Sequence, residues 1–124
     1  MLIKFKVLKI IYITVDNSVK NSIDKDKIMK KGYILVKISI QKPELFKEYP
    51  LLSGPTMEKF GGKYLIRGGT FEIAEGGWPA DRTTVVEFES FEKAKECYES
   101  IEYSKAKEIR QKSTKTDLIL IEGY

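Results

Sequence analysis

YILVKISI at Tyr33–Ile40 and DLILIE at Asp117–Glu122 decide the fold. In the first stretch, a period of two sets Ile34, Val36, Ile38 and Ile40 on one face and Tyr33, Leu35, Lys37 and Ser39 on the other. In the second, nearly every residue is apolar. Strands that are close to continuously apolar are buried on both faces. The two stretches therefore predict two strands of one sheet, with both sides of that sheet covered.

The chain between them supplies cover for one side. Pro43 stands in a helix-opening position with Glu44 in the first turn, and Leu45, Phe46, Tyr49 and Leu52 follow at helical spacing. Gly54-Pro55 is expected to bend or break this helix, and Gly61-Gly62 to stop a second piece that carries Met57 and Phe60. Lys63–Arg67 reads as the second strand, Gly68-Gly69 as a bulge or tight bend, and Thr70–Ala74 as the continuation of the strand. EGGWPAD at 75–81 is a turn cluster, and Arg82–Glu89 is the third strand. Ser90 is suited to cap the next helix, on which Phe91, Ala94, Cys97 and Tyr98 form one stripe. A break is expected at Ser100–Tyr103, and further helical turns over Lys105–Gln111. The order is β-α-β-β-α-β, an α+β, ferredoxin-like four-stranded antiparallel sheet with its helices on one face. No element remains for the other face. The sheet of a second copy is the simplest cover, so a homodimer is expected.

Composition narrows the function classes. A chain of 124 residues suits one domain large enough to fold without disulfides or metals. The single cysteine, Cys97, leaves no internal disulfide and suits a reducing, cytoplasmic setting. No apolar run is long enough to span a membrane, so no membrane partner is expected. Residues 1–31 hold eight Lys against three Asp, a net +5, whereas the remainder holds 14 Lys and Arg against 15 Asp and Glu, a net −1. The basic charge thus belongs to the first segment and not to the folded body, which argues against a nucleic-acid partner. Residues 1–31 read as a basic extension and linker ahead of a domain at 32–124, with Met29 favoured as the start and residues 1–28 as an upstream extension. Lys4, Lys6 and Lys9 before Ile10–Val15 resemble a secretory signal, but the apolar run is short and no small-residue cleavage site follows. An extra strand or a surface-lying helix remains open for residues 1–15.

GGKYLIRGG (61–69), EGGWPADR (75–82), VVEFESFEKAKECYES (85–100), EYSKAKEIR (102–110) and LILIEG (118–123) are similar, collinearly, to the family named domain of unknown function 1330. The resemblance covers residues 32–124 and implies a ferredoxin-like protomer of the dimeric α/β-barrel superfamily. It implies no single activity. That superfamily includes cofactor-free monooxygenases, small isomerases, haem-dependent enzymes and regulatory ligand-binding domains, and fold alone does not choose among them.

The chemistry available is limited. The absence of His rules out a Ser-His-Asp or Cys-His apparatus, and one Cys without His gives no zinc set and no usual axial haem ligand. No metal or cofactor is therefore expected. Cys97 lies on the apolar stripe of its helix and reads as an inert thiol. Gly68-Gly69 follows a strand without opening a helix, which points to backbone geometry and not to a phosphate loop. Lys37, Arg67 and Glu87 sit on strands one, two and three. On a shared face they would form a charged cluster, read either as a structural Arg67–Glu87 pair or as an anion-recognising Arg67 beside an acid/base Glu87. Trp78, Arg82, Tyr103 and Arg110 form a second group, with Trp78 a stacking wall for a flat ligand or a plug at the hairpin end. Two functions follow. One is a binder of a small anionic or aromatic ligand, extending to a cofactor-independent oxygenase- or isomerase-like enzyme. The other is a non-catalytic dimeric or stress-related module with structural Arg/Glu pairs.

The pattern that begins at Gly32 predicts that residues 29–124 fold without the preceding segment. Circular dichroism and melting of that fragment should match the full chain to within about 2 kcal/mol. A larger loss would make residues 1–28 integral to the fold.

Overall fold

A computed structural model of the protein describes residues 29–124. The extra-strand, surface-helix and signal readings fall on residues 1–28 and lie outside the described residues. The elements are β1 (Gly32–Ile40), α1 (Pro43–Phe46), α2 (Tyr49–Lys59), β2 (Lys63–Arg67), β3 (Arg82–Phe88), α3 (Phe91–Tyr98), α4 (Ile101–Ser113) and β4 (Thr114–Glu122). The four strands form one antiparallel sheet in the order β2-β3-β1-β4, and the architecture is the ferredoxin-like βαββαβ fold. Among the described residues no helix is long and apolar enough to cross a membrane.

The alternation of β1 divides the sheet. Ile34, Val36 and Ile38 are buried beneath the helices, and Tyr33, Leu35, Lys37 and Ser39 lie half-buried on the opposite, open face. Cross-strand pairing carries the division outward. Val86 and Leu120 sit beside Ile34, and Thr84 and Leu118 beside Val36, on the helix-covered face. Phe46, Tyr49 and Met57 from α1 and α2, with Ala94, Cys97, Tyr103 and Ala106 from α3 and α4, complete the core. Each fully buried aliphatic side chain contributes about 1.5–3 kcal/mol relative to exposure.

The helix ends show where local signals acted. The first helix breaks at Lys47–Glu48, not at Gly54-Pro55 as expected. Pro50 explains the position, because its ring opposes the carbonyl four residues back, that of Phe46, and offers it no N–H. Pro55 stays inside α2 at the same formal cost. Its orphaned acceptor is Leu51, a residue 74% exposed, so water can serve that carbonyl. Gly61 ends α2 with φ +80°, and the Gly61 and Gly62 amides donate to Glu58 and Met57 carbonyls at 2.9 and 2.8 Å, a Schellman closure. Ser90 caps α3 through its hydroxyl, which accepts from the Lys93 amide at 3.1 Å, and Ser100 caps α4 in the same way through the Tyr103 amide at 3.1 Å. The expected break at Ser100–Tyr103 is thus a single capping residue, and β4 starts three residues earlier than the apolar run suggested. Thr70–Ala74 forms no strand. It belongs to an extended arm, residues 68–81, that joins β2 to β3.

Cys97 is fully buried, its Sγ 3.7 Å from the Met57 sulfur, and burial pushes its thiol up to about 12 from the usual 9.0. Burial, with the adjacent Tyr103 hydroxyl, likewise holds the Tyr49 phenol well above its usual 10.0. Both groups keep their protons in the folded state at pH values where the unfolded chain releases them. Their contribution to stability is therefore complete below pH 9 and is lost as pH rises, first through the thiol and above pH 10 also through the phenol. Urea unfolding across this range should show a falling midpoint, and Cys97→Ala should flatten the profile between pH 9 and 10. An unchanged slope in that variant would contradict the assignment.

Candidate functional site

One extra residue in β2 arranges the polar groups. Lys63 pairs with Glu87 and Tyr64 with Val86, but Ile66 then stands opposite Val85 and Arg67 opposite Thr84. Leu65 is the inserted residue of this bulge. Strict alternation would have put Arg67 on the open face with Lys63 and Glu87. The insertion turns Arg67 to the helix-covered face and Ile66 to the open one. The expected cluster of Lys37, Arg67 and Glu87 is therefore not formed. Lys37 and Glu87 occupy the open face, and the sheet separates both from Arg67.

Arg67 meets Arg82 instead. Arg82 pairs with Ile38, so its side chain also lies on the helix side, at the end of β3 next to Phe46. Its guanidinium lies across Gly68, where a Cβ would fall 2.7 Å from Nη2, and Gly68 adopts φ +64°. The positive φ calls for glycine there, and a Cβ would push the Arg82 head group aside. The bend expected of Gly68-Gly69 thus makes room for an arginine head group. The Arg67 guanidinium carbon lies 4.1 Å from the centre of the Tyr64 ring. The two arginines border a crevice between sheet and helices, walled by Val36, Val86, Phe46, Met57, Tyr49 and Ser53, with a cavity of about 30 Å³. That is room for about two waters or for one small polar head group. Among the described residues neither arginine pairs with a carboxylate.

Behind the crevice lies a buried polar cluster. The Tyr49 and Tyr103 hydroxyls are 2.6 Å apart, and Tyr103 is fully buried. Arg110, two turns further along the same face of α4, is 3% exposed, and its Nε has no hydrogen-bond partner among the described residues. Burial opposes its charge, but the oxygens of Tyr103 and Tyr49 beside it outweigh that penalty and hold the guanidinium ionised.

The open face carries the rest. The Tyr33 hydroxyl donates to Glu87 Oε2 at 3.0 Å, which raises the Tyr33 phenol above its usual range. Trp78, at φ +30°, donates from Nε1 to Thr83 Oγ1 at 3.1 Å and lies beneath the Lys37 ammonium, 4.3 Å from its ring centre. The end of the arm is pinned to β1. The Asp81 amide donates to the Ile38 carbonyl at 2.7 Å, the Ile40 amide to Asp81 Oδ2 at 2.7 Å, and the Ser39 hydroxyl to the Pro79 carbonyl at 2.9 Å. Between the arm and β2 opens a cleft of about 660 Å³, lined by Leu65, Ile66, Phe71, Ile73 and Trp78, with Arg67 at its edge. The expected group of Trp78, Arg82, Tyr103 and Arg110 is thus divided. Trp78 is on the open face, Arg82 in the crevice, and Tyr103 with Arg110 in the core. Among the described residues no three His, Cys, Asp or Glu side chains gather to hold a metal ion.

Tyr49, Ser53 and Tyr64 border the crevice, and sequence reasoning passed over all three. Tyr49 was absorbed into the apolar stripe of its helix, and Tyr64 into a strand. The usable signal was a phenol at a core position, since a buried hydroxyl must find a partner.

Comparison with solved structures supports this architecture. The structural-genomics target RPA0582 from Rhodopseudomonas palustris, a protein of unknown function, aligns with a TM-score of 0.63 at 20% identity, covering 85% of this chain and 93% of that one. SnoaB, a cofactor-independent oxygenase from Streptomyces nogalater, aligns with a TM-score of 0.51 at 6% identity, covering 77% of this chain and 94% of that one. At such identities the likeness concerns the fold. No curated protein matches the chain. Residues 31–124 match the family described as Domain of unknown function (DUF1330), and the chain belongs to that family.

Proposed function

We propose that the protein binds a small organic acid by its carboxylate in the crevice between Arg67 and Arg82, as a dimer of two such protomers. The observation that carries the reading is the convergence of two arginines, without carboxylate partners among the described residues, on a slot walled by aliphatic and aromatic side chains with a few hydroxyls. The 30 Å³ of the crevice has room for a carboxylate group alone, with the body of the acid directed to the mouth. Glu87 lies on the other side of the sheet, so an acid/base role for it toward this ligand has no geometric support. SnoaB works without a cofactor. A similar activity here would have to use the crevice groups, Tyr49, Tyr64, Ser53 and the arginines.

The dimer rests on the open face. Leu35, Ile66, Val85, Ile119 and Ile121 form its apolar centre, and Ile66, Ile119 and Ile121 are each nearly half-exposed in the single chain. Phe71, Ile73 and Trp78 extend that surface along the arm. A second copy matches it because opposite charges, Lys37 and Lys63 against Glu87 and Asp117, lie on the same face and a two-fold axis can bring them together.

Acetate, pyruvate and benzoate, screened by thermal shift and titration calorimetry against alcohols of matching size, should stabilise the protein where the alcohols do not. Arg67→Met and Arg82→Met should each weaken binding roughly tenfold or more, in line with the worth of a charge-assisted hydrogen bond. Gly68→Ala, which displaces the Arg82 head group, should weaken it comparably. Equal response to acids and alcohols would defeat the carboxylate reading.

Sedimentation at micromolar concentration should give twice the 14.3 kDa chain mass, with on the order of 1,600 Å² buried in total. Ile119→Glu should return the monomer. A wild-type monomer under these conditions would remove the dimer.

A further inference from the structure

The charge beside the buried tyrosine pair gives the cluster a preferred polarity. A guanidinium carries only donors. Arg110, buried beside the tyrosine pair, can therefore only donate toward it, and the Lys107 ammonium adds positive charge 3.9 Å from the centre of the Tyr98 ring and 6.0 Å from that of Tyr103. The 2.6 Å separation allows either hydroxyl to donate, and cations beside Tyr103 favour the arrangement in which its lone pairs face them and its hydrogen goes to the Tyr49 oxygen. Tyr49 then accepts that bond and has its own hydrogen to give elsewhere. Its ring lines the crevice that Arg67 and Arg82 border. Burial keeps that hydrogen on the oxygen well past the usual phenol range.

We propose that Tyr49 is the neutral hydrogen-bond donor to the anionic oxygen of the ligand, with Tyr103 and Arg110 as positioning residues that aim it. The inference rests on the carboxylate reading above and adds a third contact to it, from a hydroxyl approaching on the helix side. It also gives the buried Arg110 a function. The cation needs no carboxylate of its own, because its field is spent on orienting two phenols toward an incoming anion. The ligand class is correspondingly narrower. An acid whose oxygen accepts from two guanidinium groups and one O–H is favoured over an anion held by charge alone.

The test uses acetate, pyruvate and benzoate, titrated calorimetrically into the full chain. Tyr49→Phe should weaken the acids that bind wild type by roughly tenfold, the usual loss when a charged acceptor forfeits one donor. Tyr103→Phe should weaken them several-fold, about 3- to 10-fold on the same scale. The double variant Tyr49→Phe/Tyr103→Phe should bind no worse than Tyr49→Phe alone, because Tyr103 acts through Tyr49. Addition of acid should perturb the tyrosine near-ultraviolet spectrum in wild type, and that signal should vanish in Tyr49→Phe. Arg110→Lys, which keeps a cation with donors only, should preserve most of the affinity, and it replaces the Tyr103 arm should Tyr103→Phe not fold. Loss of binding in Arg67→Met and Arg82→Met with full affinity in Tyr49→Phe would overturn the tyrosine inference and leave the carboxylate site standing. Additive losses in the double variant would overturn the positioning role. Absence of binding by all three acids in wild type would overturn the site and the inference with it.

Discussion

β1 is hydrogen-bonded along both edges, to β3 on one side and β4 on the other, and its alternation is imposed on the whole sheet. A residue opposite Ile34, Val36 or Ile38 goes under the helices, and one opposite Tyr33, Leu35 or Lys37 goes to the open face. A shift of one position would expose the entire Ile-Val-Ile row, so the apolar contrast of the two faces holds the register tightly. The helices then have one face to cover, and α3 and α4 fill it with small or flat residues, Ala94, Cys97 and Ala106 among them. The open face follows from the same count of elements. Four strands with every helix on one side leave the other face uncovered in the single chain.

The bulge at Leu65 is the one departure from that alternation, and it is tolerated because β2 is an edge strand. An edge strand has one ladder to satisfy, so an inserted residue leaves fewer unpaired backbone groups than it would in β1. The same position explains why a charged side chain can turn to the helix side at all. Arg67 remains exposed at the border of the crevice, and its guanidinium keeps water while stacking on Tyr64. Arg110 has no such access, and the phenol oxygens beside it offset the burial of its charge. Two cations on the same side of one sheet are thus held by different means, one by solvent and an aromatic face, the other by a buried hydroxyl pair.

The arm at 68–81 is tied at both of its ends. Asp81 bonds both the Ile40 amide and, through its own amide, the Ile38 carbonyl, which ties the return of the chain to β1. Gly68 bonds to the Thr83 carbonyl at 2.9 Å at the departure point. Phe71 and Ile73, between these ties, present apolar side chains to solvent in the single chain. An apolar surface of this extent along an arm and an adjoining sheet face is the signature of a contact surface.

The strand and helix order, the β1 faces, the Ser90 cap and the glycine stop of α2 were legible in the sequence. Each is set by neighbours within a few residues: period-two burial, a hydroxyl three positions before an amide, a glycine in the left-handed region. The inert placement of Cys97 was legible for the same reason, from a stripe on one helix. The companions of Arg67 were not legible. Alternation placed it with Glu87, and only the pairing of β2 against β3 revealed the extra residue that turns it to Arg82. Nor could spacing join Tyr49 to Tyr103, 54 positions apart, or bring Arg110 beneath them. Those contacts depend on how α2 lies against α4. That packing is decided by side-chain volumes across the whole core, which no local pattern records.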